Sequence, residues 1–437
     1  MPWGLAIVVH TETGALFDSS KTIKLVLVTV ASFDTNTIGV CSKPWHEWDA
    51  MKKRREWLLA SLTILITVVI CLLIAEIVLR FLPVASGMRT VTVTAQSPVF
   101  HFTPNRDFLY SRDWDMVLAN RGRVNNAGFV NDQDYHKVDK PPLLAVVGDS
   151  MIEASMVPYR ETLHARLANS LAGKIRVYSF AASGAPLSQY LIWARHAVQV
   201  YGAQALLFSV IDNDYDESHA AYRVDPGFWR YVPDANGELQ LRLFEYRPGL
   251  LRNVAVSSAL GRYLIFNMQL GLQWLQLRSL LFGGPAVAAS GTVAQPVNTE
   301  EKRLRDSLAV VDAFFRDLPK YVALPPSRIM FMVEGFRYAD VAAVSVGGYF
   351  DRVRHALMKQ ASSLGYEVVD LDPFFFEHYR QTGERVEFAR DGHWNGTYHR
   401  VAFEAVLKSP FMERLGAAYD SSAPSVDSSQ TSNSTPR

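Results

Sequence analysis

Ser150 stands in Gly148-Asp149-Ser150 at the end of the apolar run Leu143-Leu144-Ala145-Val146-Val147, and Asp391-Gly392-His393-Trp394-Asn395 stands far downstream. Together these residue types describe a serine nucleophile and its base. A serine hydroxyl attacks poorly unless a neighbouring base removes its proton, and that base needs an acceptor to hold its tautomer. Ser150, His393 and Asp391 can fill the three roles. The charge that develops on an attacked carbonyl also needs hydrogen-bond donors, each worth about 2.7–4 kcal/mol of transition-state stabilisation. Gly184, in Ala181-Ala182-Ser183-Gly184-Ala185, lets a backbone N–H approach a substrate because it carries no side chain. Asn213, in Ile211-Asp212-Asn213-Asp214, offers an amide donor.

Each residue also has a plainer reading. Ser150 can be a turn serine that caps a helix, Gly184 can make a simple turn, and His399 is a rival base close to His393. Asp212, Asp214 and Asp216 around Asn213 are read as a solvated loop rather than a cation site. His164, His196 and His355 fall in helical stretches and are read as surface or packing residues.

These groups need a scaffold, and the apolar pattern supplies one. Strand-length runs fall at 143–147, 175–179, 205–210, 328–333 and 367–371, and most alternate with helical stretches near 160–172, 186–201, 301–318, 347–364 and 396–408. Strands alternating with helices predict a parallel sheet covered on both faces. A strand ending in a tight glycine turn then offers Ser150 at the carboxyl end of such a sheet, and Asp391 and His393 fall in the loop before the final helix. Residues 84–139 are rich in turn formers and read as a tether and cap. An insertion over 214–300 breaks the alternation. Its first part, Tyr215 to Gly249, is aromatic and charged without a clear period. Its second part, Ala259 to Phe282, aligns Arg262, Gln269, Gln273 and Gln276 on one helical stripe, which fits a lid, a helix on the membrane surface or one packed on the core. Residues 283–297 read as a linker, and 418–437, rich in Ser, Thr and Pro, as a disordered tail.

Ser150, Gly184, Asn213 and His393, in that order, are where the chain resembles the SGNH (GDSL-type) hydrolase family, over roughly residues 140–415 apart from the insertion. The resemblance implies a three-layer α/β/α sandwich on a five-stranded parallel sheet. It implies that Ser150 is the nucleophile, that His393 is the base oriented by Asp391, and that the Ser150 N–H, the Gly184 N–H and the Asn213 side chain form the oxyanion hole. Four positions depart from the family pattern. One residue separates Asp391 from His393 where two are usual, Ala154 and Ile211 stand where glycines are common, and Ser179 stands where an asparagine is common. The Asp391-Gly392-His393-Trp394-Asn395 block and the amino-terminal anchor described next look most like the membrane-anchored branch found with bacterial surface polysaccharides.

The anchor begins after Lys52-Lys53-Arg54-Arg55, runs uncharged from Trp57 to Ala75 and ends at Glu76-Ile77-Val78-Leu79-Arg80-Phe81-Leu82-Pro83. A helix of about 20 residues crosses a bilayer, and the basic cluster predicts that the amino end is cytoplasmic. Segment 51–83 therefore reads as an uncleaved single-pass anchor in the inner membrane, with the hydrolase-like domain over 140–417 on the periplasmic side. Glu76 and Arg80, four apart, can pair at the outer interface. Residues 1–50 fit an anchored protein poorly, and Met51 is the expected start.

The formal net charge is +1, which gives no bulk electrostatic attraction to nucleic acid. The two cysteines, Cys41 and Cys71, have no neighbours at metal-ligand spacing, so neither a zinc site nor a disulfide framework is expected, and no cofactor is called for. The expected activity is a serine esterase that removes acyl groups, acetyl above all, from a glycan through an acyl-enzyme on Ser150. An O-acyltransferase that passes the same acyl group to a sugar hydroxyl, and a non-catalytic component of a polysaccharide assembly machine, are the alternatives. Tyr215, Tyr222, Phe228, Trp229 and Tyr231 can stack on sugar faces or pack the insertion.

Overall fold

The computed structural model describes residues 45–270 and 297–420. The extension before 45, the second half of the helix expected over 259–282, nearly all of the linker and the tail from 421 lie outside the described residues. Eleven strands are described: β1 (Arg106–Arg112), β2 (Leu118–Val124), β3 (Leu143–Gly148), β4 (Arg176–Ala181), β5 (Ala203–Val210), β6 (Trp229–Pro233), β7 (Leu239–Leu243), β8 (Ile329–Val333), β9 (Glu367–Asp370), β10 (Glu387–Phe388) and β11 (Asp391–Trp394). The helices that matter for the site are α1 (Trp45–Leu79), α2 (Ser150–Glu153), α3 (Leu163–Ser170), α4 (Leu187–Tyr201), α5 (Asp214–Glu217), α6 (Val297–Tyr321), α7 (Tyr349–Ser363) and α8 (Gly396–Leu407).

Five strands form one parallel sheet in the order β4-β3-β5-β8-β9. Every residue of β3 is buried, so it reads as a continuous apolar run, as a strand covered on both faces must. Its side chains still alternate. Leu143, Ala145 and Val147 join one core with Trp193 of α4, Phe314 of α6 and Leu357 of α7, whereas Leu144 and Val146 join a second core with Leu167 of α3 and Ala402 of α8. Two cores on opposite sides of one sheet make the three-layer α/β/α sandwich. Burying each Leu or Val contributes about 1.5–3 kcal/mol, and the sheet carries many of them.

The chain enters the sheet at β3, moves to one side for β4, then crosses to the other side for β5. That reversal opens a crevice at the carboxyl ends of β3, β4 and β5.

Several elements differ from the sequence reading. The region 84–139 is more ordered than a tether, because β1 and β2 form an antiparallel hairpin. In the insertion, β6 and β7 form a second hairpin, hidden because its residues do not alternate cleanly; Tyr215, Phe228 and Tyr231 are buried there and serve packing. The helical stretch expected over 347–364 is the helix Tyr349–Ser363, and a short helix the sequence reading lacked, Ala339–Ser345, precedes it, the two separated at Gly347, at φ +76°. Asp391 and His393 sit on a short strand rather than in a loop, and a further helix, Pro410–Asp420, follows α8.

Two units are distinguishable, one reaching to Val69 and one from Ile70 onward. The described part of the first is α1 from Trp45 to Val69. Stretch Met51–Leu79 is long and apolar enough to cross a membrane, with mean hydropathy 3.0 over its most apolar 18 residues. In the second unit, the Glu76–Arg80 pair forms at 2.9 Å, and the same carboxylate caps the start of the insertion helix by accepting from Ser258 Oγ at 2.7 Å and Leu260 N at 2.8 Å.

Candidate active site

Ser150 is placed by its two predecessors. A Cβ on Gly148 would run into Ile152 and Ser209, so only glycine lets β3 turn into α2 here. Asp149 caps α2 and accepts the Met151 N–H at 2.9 Å. Ser150 is thus the first helical residue, where its own N–H has no partner within the helix. The serine does sit at a helix start, as the plainer reading has it, but Asp149 is the cap.

His393 Nε2 lies 3.1 Å from Ser150 Oγ, 243 positions away in sequence. Its Nδ1 is hydrogen bonded to Asp391 Oδ1. The one-residue spacing has a local cause. On strand β11, residues two apart project from the same face, so Asp391 and His393 meet with Gly392 between them. Asp391 is buried and surrounded by donors: Tyr110 Oη at 2.9 Å, Arg112 Nη1 at 2.8 Å and the His393 N–H at 3.2 Å. Burial alone would raise its pKa, but the His393 hydrogen bond and charge, with Arg112 and Tyr110, outweigh burial and hold the carboxyl well below the usual range. A base oriented by an ionised acceptor can take the serine proton, and the acceptor stabilises the imidazolium that results.

The remaining residues of that block fix the strand. Arg337 Nη1 donates to the Gly392 carbonyl at 2.7 Å, Trp394 Nε1 donates to Glu334 at 3.2 Å, and Asn395 caps α8 by accepting from Thr397 N and Tyr398 N. His399, the rival base, is fully buried and accepts the Leu163 N–H at 3.1 Å, and burial holds its pKa well below the ordinary histidine value. It packs rather than reacts.

Sheet order sets Ser150 between the two expected oxyanion donors, because Gly184 follows β4 and Asn213 follows β5 on either side of β3. Gly184 adopts φ +78°, a left-handed conformation suited to glycine. The turn before it is held by buried Glu153, whose carboxylate accepts the Ser183 N–H at 2.6 Å. Asn213 donates one amide hydrogen to Glu217 at 3.1 Å, and its second remains for a ligand. Glu217 pairs with Arg223 Nη1 at 2.7 Å, and the guanidinium lies over Gly184, with Nη2 3.2 Å from where a Cβ there would sit.

One expectation needs correcting. Asp214 and Asp216 are buried, not solvated: Asp214 accepts from Tyr190 Oη and the Ile211 N–H, both at 2.8 Å, and Asp216 pairs with Arg303 at 2.7 Å. They anchor α5, and no group of three or more His, Cys, Asp or Glu that could hold a metal occurs among the described residues. Ser179, where an asparagine was the family norm, instead receives Asn131 Nδ2 at 3.0 Å and gives its carbonyl to Tyr135 Oη at 2.6 Å. Tyr110, Arg112, Glu153 and Arg223 escape a sequence reading because their partners lie in other elements and no local pattern marks them.

No family model and no curated protein matches this chain. Solved structures with low-level likeness include LAE5, an α/β hydrolase enzyme from the metagenome of Lake Arreo, Spain, at 12% identity and TM-score 0.34, covering 64% of this chain and 98% of that one. A catalytic mutant of Axe2, an acetylxylan esterase from Geobacillus stearothermophilus, matches at 13% identity and TM-score 0.33, over 62% of this chain and 95% of that one. A member of the lipolytic G-D-S-L family from Veillonella parvula matches at 11% identity and TM-score 0.29, over 61% and 96%. Likenesses this shallow carry no activity over to the chain, which leaves the geometry of Ser150, His393 and Asp391 as the ground for a functional reading.

Proposed function

We propose that this protein is a serine esterase of the SGNH type, anchored in the bacterial inner membrane with its catalytic domain outside the cytoplasm. The observation that carries the chemistry is the continuous hydrogen-bonded line from Ser150 Oγ through His393 to Asp391. Ser150 attacks the ester carbonyl while His393 takes its proton. The N–H groups of Ser150 and Gly184 and the Asn213 amide receive the developing oxyanion. His393 then returns the proton to the leaving alcohol, and water attacks the acyl-enzyme to release the acid. Glycan-borne acetyl esters are the substrate we favour. The anchor rests on the basic cluster before the apolar stretch Met51–Leu79.

A fluorophosphonate probe tests this on the full-length protein in detergent. Wild type should be labelled and Ser150→Ala should not; a folded wild type that resists labelling overturns the proposal. Acetate release from an acetylated xylan in water alone is the expected second result. Turnover only on addition of a deacetylated glycan acceptor would replace hydrolysis by transfer.

A further inference from the structure

Around the end of α1 the catalytic unit carries large apolar side chains that nothing covers. Phe81 is 86% exposed, Val117 82% and Trp114 67%, and Leu82 and Ile265 are also exposed. They come from three segments: the exit of α1, the turn between β1 and β2, and the start of the insertion helix. Contacts draw these segments together. Leu79, Val84 and Ala259 form a small cluster on which Met116 and Tyr263 pack, Tyr263 Oη donates to the Trp114 carbonyl at 3.1 Å, and Asn267 donates to Ser111 Oγ at 2.8 Å while accepting the Ala85 N–H at 3.0 Å.

Isolated apolar residues on a surface need no explanation, but a contiguous group marks a contact. Here it is continuous with the last apolar turns of α1, and it includes a tryptophan and, beside it, a tyrosine, the residues favoured where lipid meets water.

We infer that this patch rests in the outer leaflet of the bilayer, so that the domain is seated on the membrane as well as tethered to it, and that its ester substrate is presented at the membrane surface. The second half follows from how near the patch is to the site. Arg112 pairs with Asp391, and Trp114 is two positions further on, at most about 7 Å of chain away. Asp115, in the same turn, pairs with Arg390 next to Asp391. A turn that touches lipid therefore also touches the strand that carries His393. The fitting substrate class is an ester on a lipid-linked or membrane-resident molecule. This substrate class rests on the esterase reading, whereas the seating does not.

The test uses the full-length chain in nanodiscs of phosphatidylethanolamine and phosphatidylglycerol, in a Cys41→Ser, Cys71→Ser background, with a nitroxide at Val117→Cys or, as a control, at Val344→Cys, a site 86% exposed on the helix Ala339–Ser345. The label at 117 should be more accessible to oxygen than to a nickel chelate, and the label at 344 the reverse. Equal water exposure at both sites, in protein that resists carbonate extraction, overturns the seating. Protein released by carbonate would instead refute the anchor. Shielding of 117 that appears only at raised protein concentration would assign the patch to a second copy and would also overturn the inference. Trp114→Ser with Val117→Ser should leave hydrolysis of a soluble acetyl ester unchanged and lower hydrolysis of an ester embedded in vesicles about tenfold; equal rates on both substrates would overturn membrane presentation.

Discussion

The two halves of the candidate active site are held in different ways. Ser150 is positioned by backbone: β3 lies in the middle of a buried sheet, Gly148 permits the turn, and Asp149 caps the helix that follows. His393 and Asp391 lie on β11, paired only with the two-residue β10, and are positioned by side chains borrowed from the β1–β2 hairpin and from the loop after β8. A nucleophile can be built into a core because its position is fixed once the strand order is. A base must turn and exchange a proton, and its setting is adjustable from outside.

That contrast can be broken at several points. Removing the base itself, His393→Ala, should lower kcat at least about ten-thousand-fold without unfolding the protein, while His399→Ala should cost stability and leave the rate per folded molecule nearly intact; comparable losses of rate would abolish the distinction between a reacting and a packing histidine. Arg112→Ala comes next, with a fall in kcat of about tenfold to a hundredfold, since Asp391 keeps its His393 contact but loses a cation that favours ionisation. The acid limb of the kcat profile should move to higher pH, because loss of the Arg112 cation beside Asp391 favours the protonated form of the Asp391–His393 pair. Tyr110→Phe removes one hydrogen bond to the same carboxylate and should cost about fivefold in kcat, with KM unchanged.

Acid separates the two halves by stability. Burial holds the pKa of His164, beneath the sheet in α3, down to about 3. The unfolded chain binds that proton near pH 6.5, so stability is complete above about pH 6.5 and falls as pH drops towards 3, with a slope approaching 1.4 kcal/mol per unit for this residue. Asp391 has a depressed folded pKa, so its contribution is present above the unfolded value near 3.9 and is lost only in stronger acid. Hydrogen exchange at pH 5 should show loosening of α3 and α8 before β11. The smallest change is expected at Ala154, which holds a left-handed φ of +49° after the serine block. Glycine there would relieve about 1 kcal/mol of backbone strain and lose a buried methyl worth about 0.8 kcal/mol. Chemical denaturation should place Ala154→Gly within about 0.5 kcal/mol of wild type.

The sheet was legible because apolar periodicity is local: each of the five runs carries its own strand signal, and the glycine turn after β3 announces Ser150. The Asp391-Gly392-His393 block was legible as chemistry but not as geometry, since nothing in five residues says that β10 pairs with it. The carboxylate's other partners were beyond reach for a different reason. Tyr110 meets Asp391 across 281 positions, and neither residue type nor spacing in the hairpin differs from that of any polar strand. Asp214 and Asp216 misled because charged residues in a loop are usually solvated; here tyrosine, backbone and arginine partners satisfy them inside the fold.

Gly392, the single residue between acid and base, shows that motif spacing records secondary structure as much as chemistry. An extended segment reverses side-chain direction at every step. Inserting one residue here, far from restoring a familiar pattern, would swing the imidazole to the opposite side of its strand. A search that counts intervening residues would pass over this pair, whereas one that asks which side of the chain each group leaves would find it.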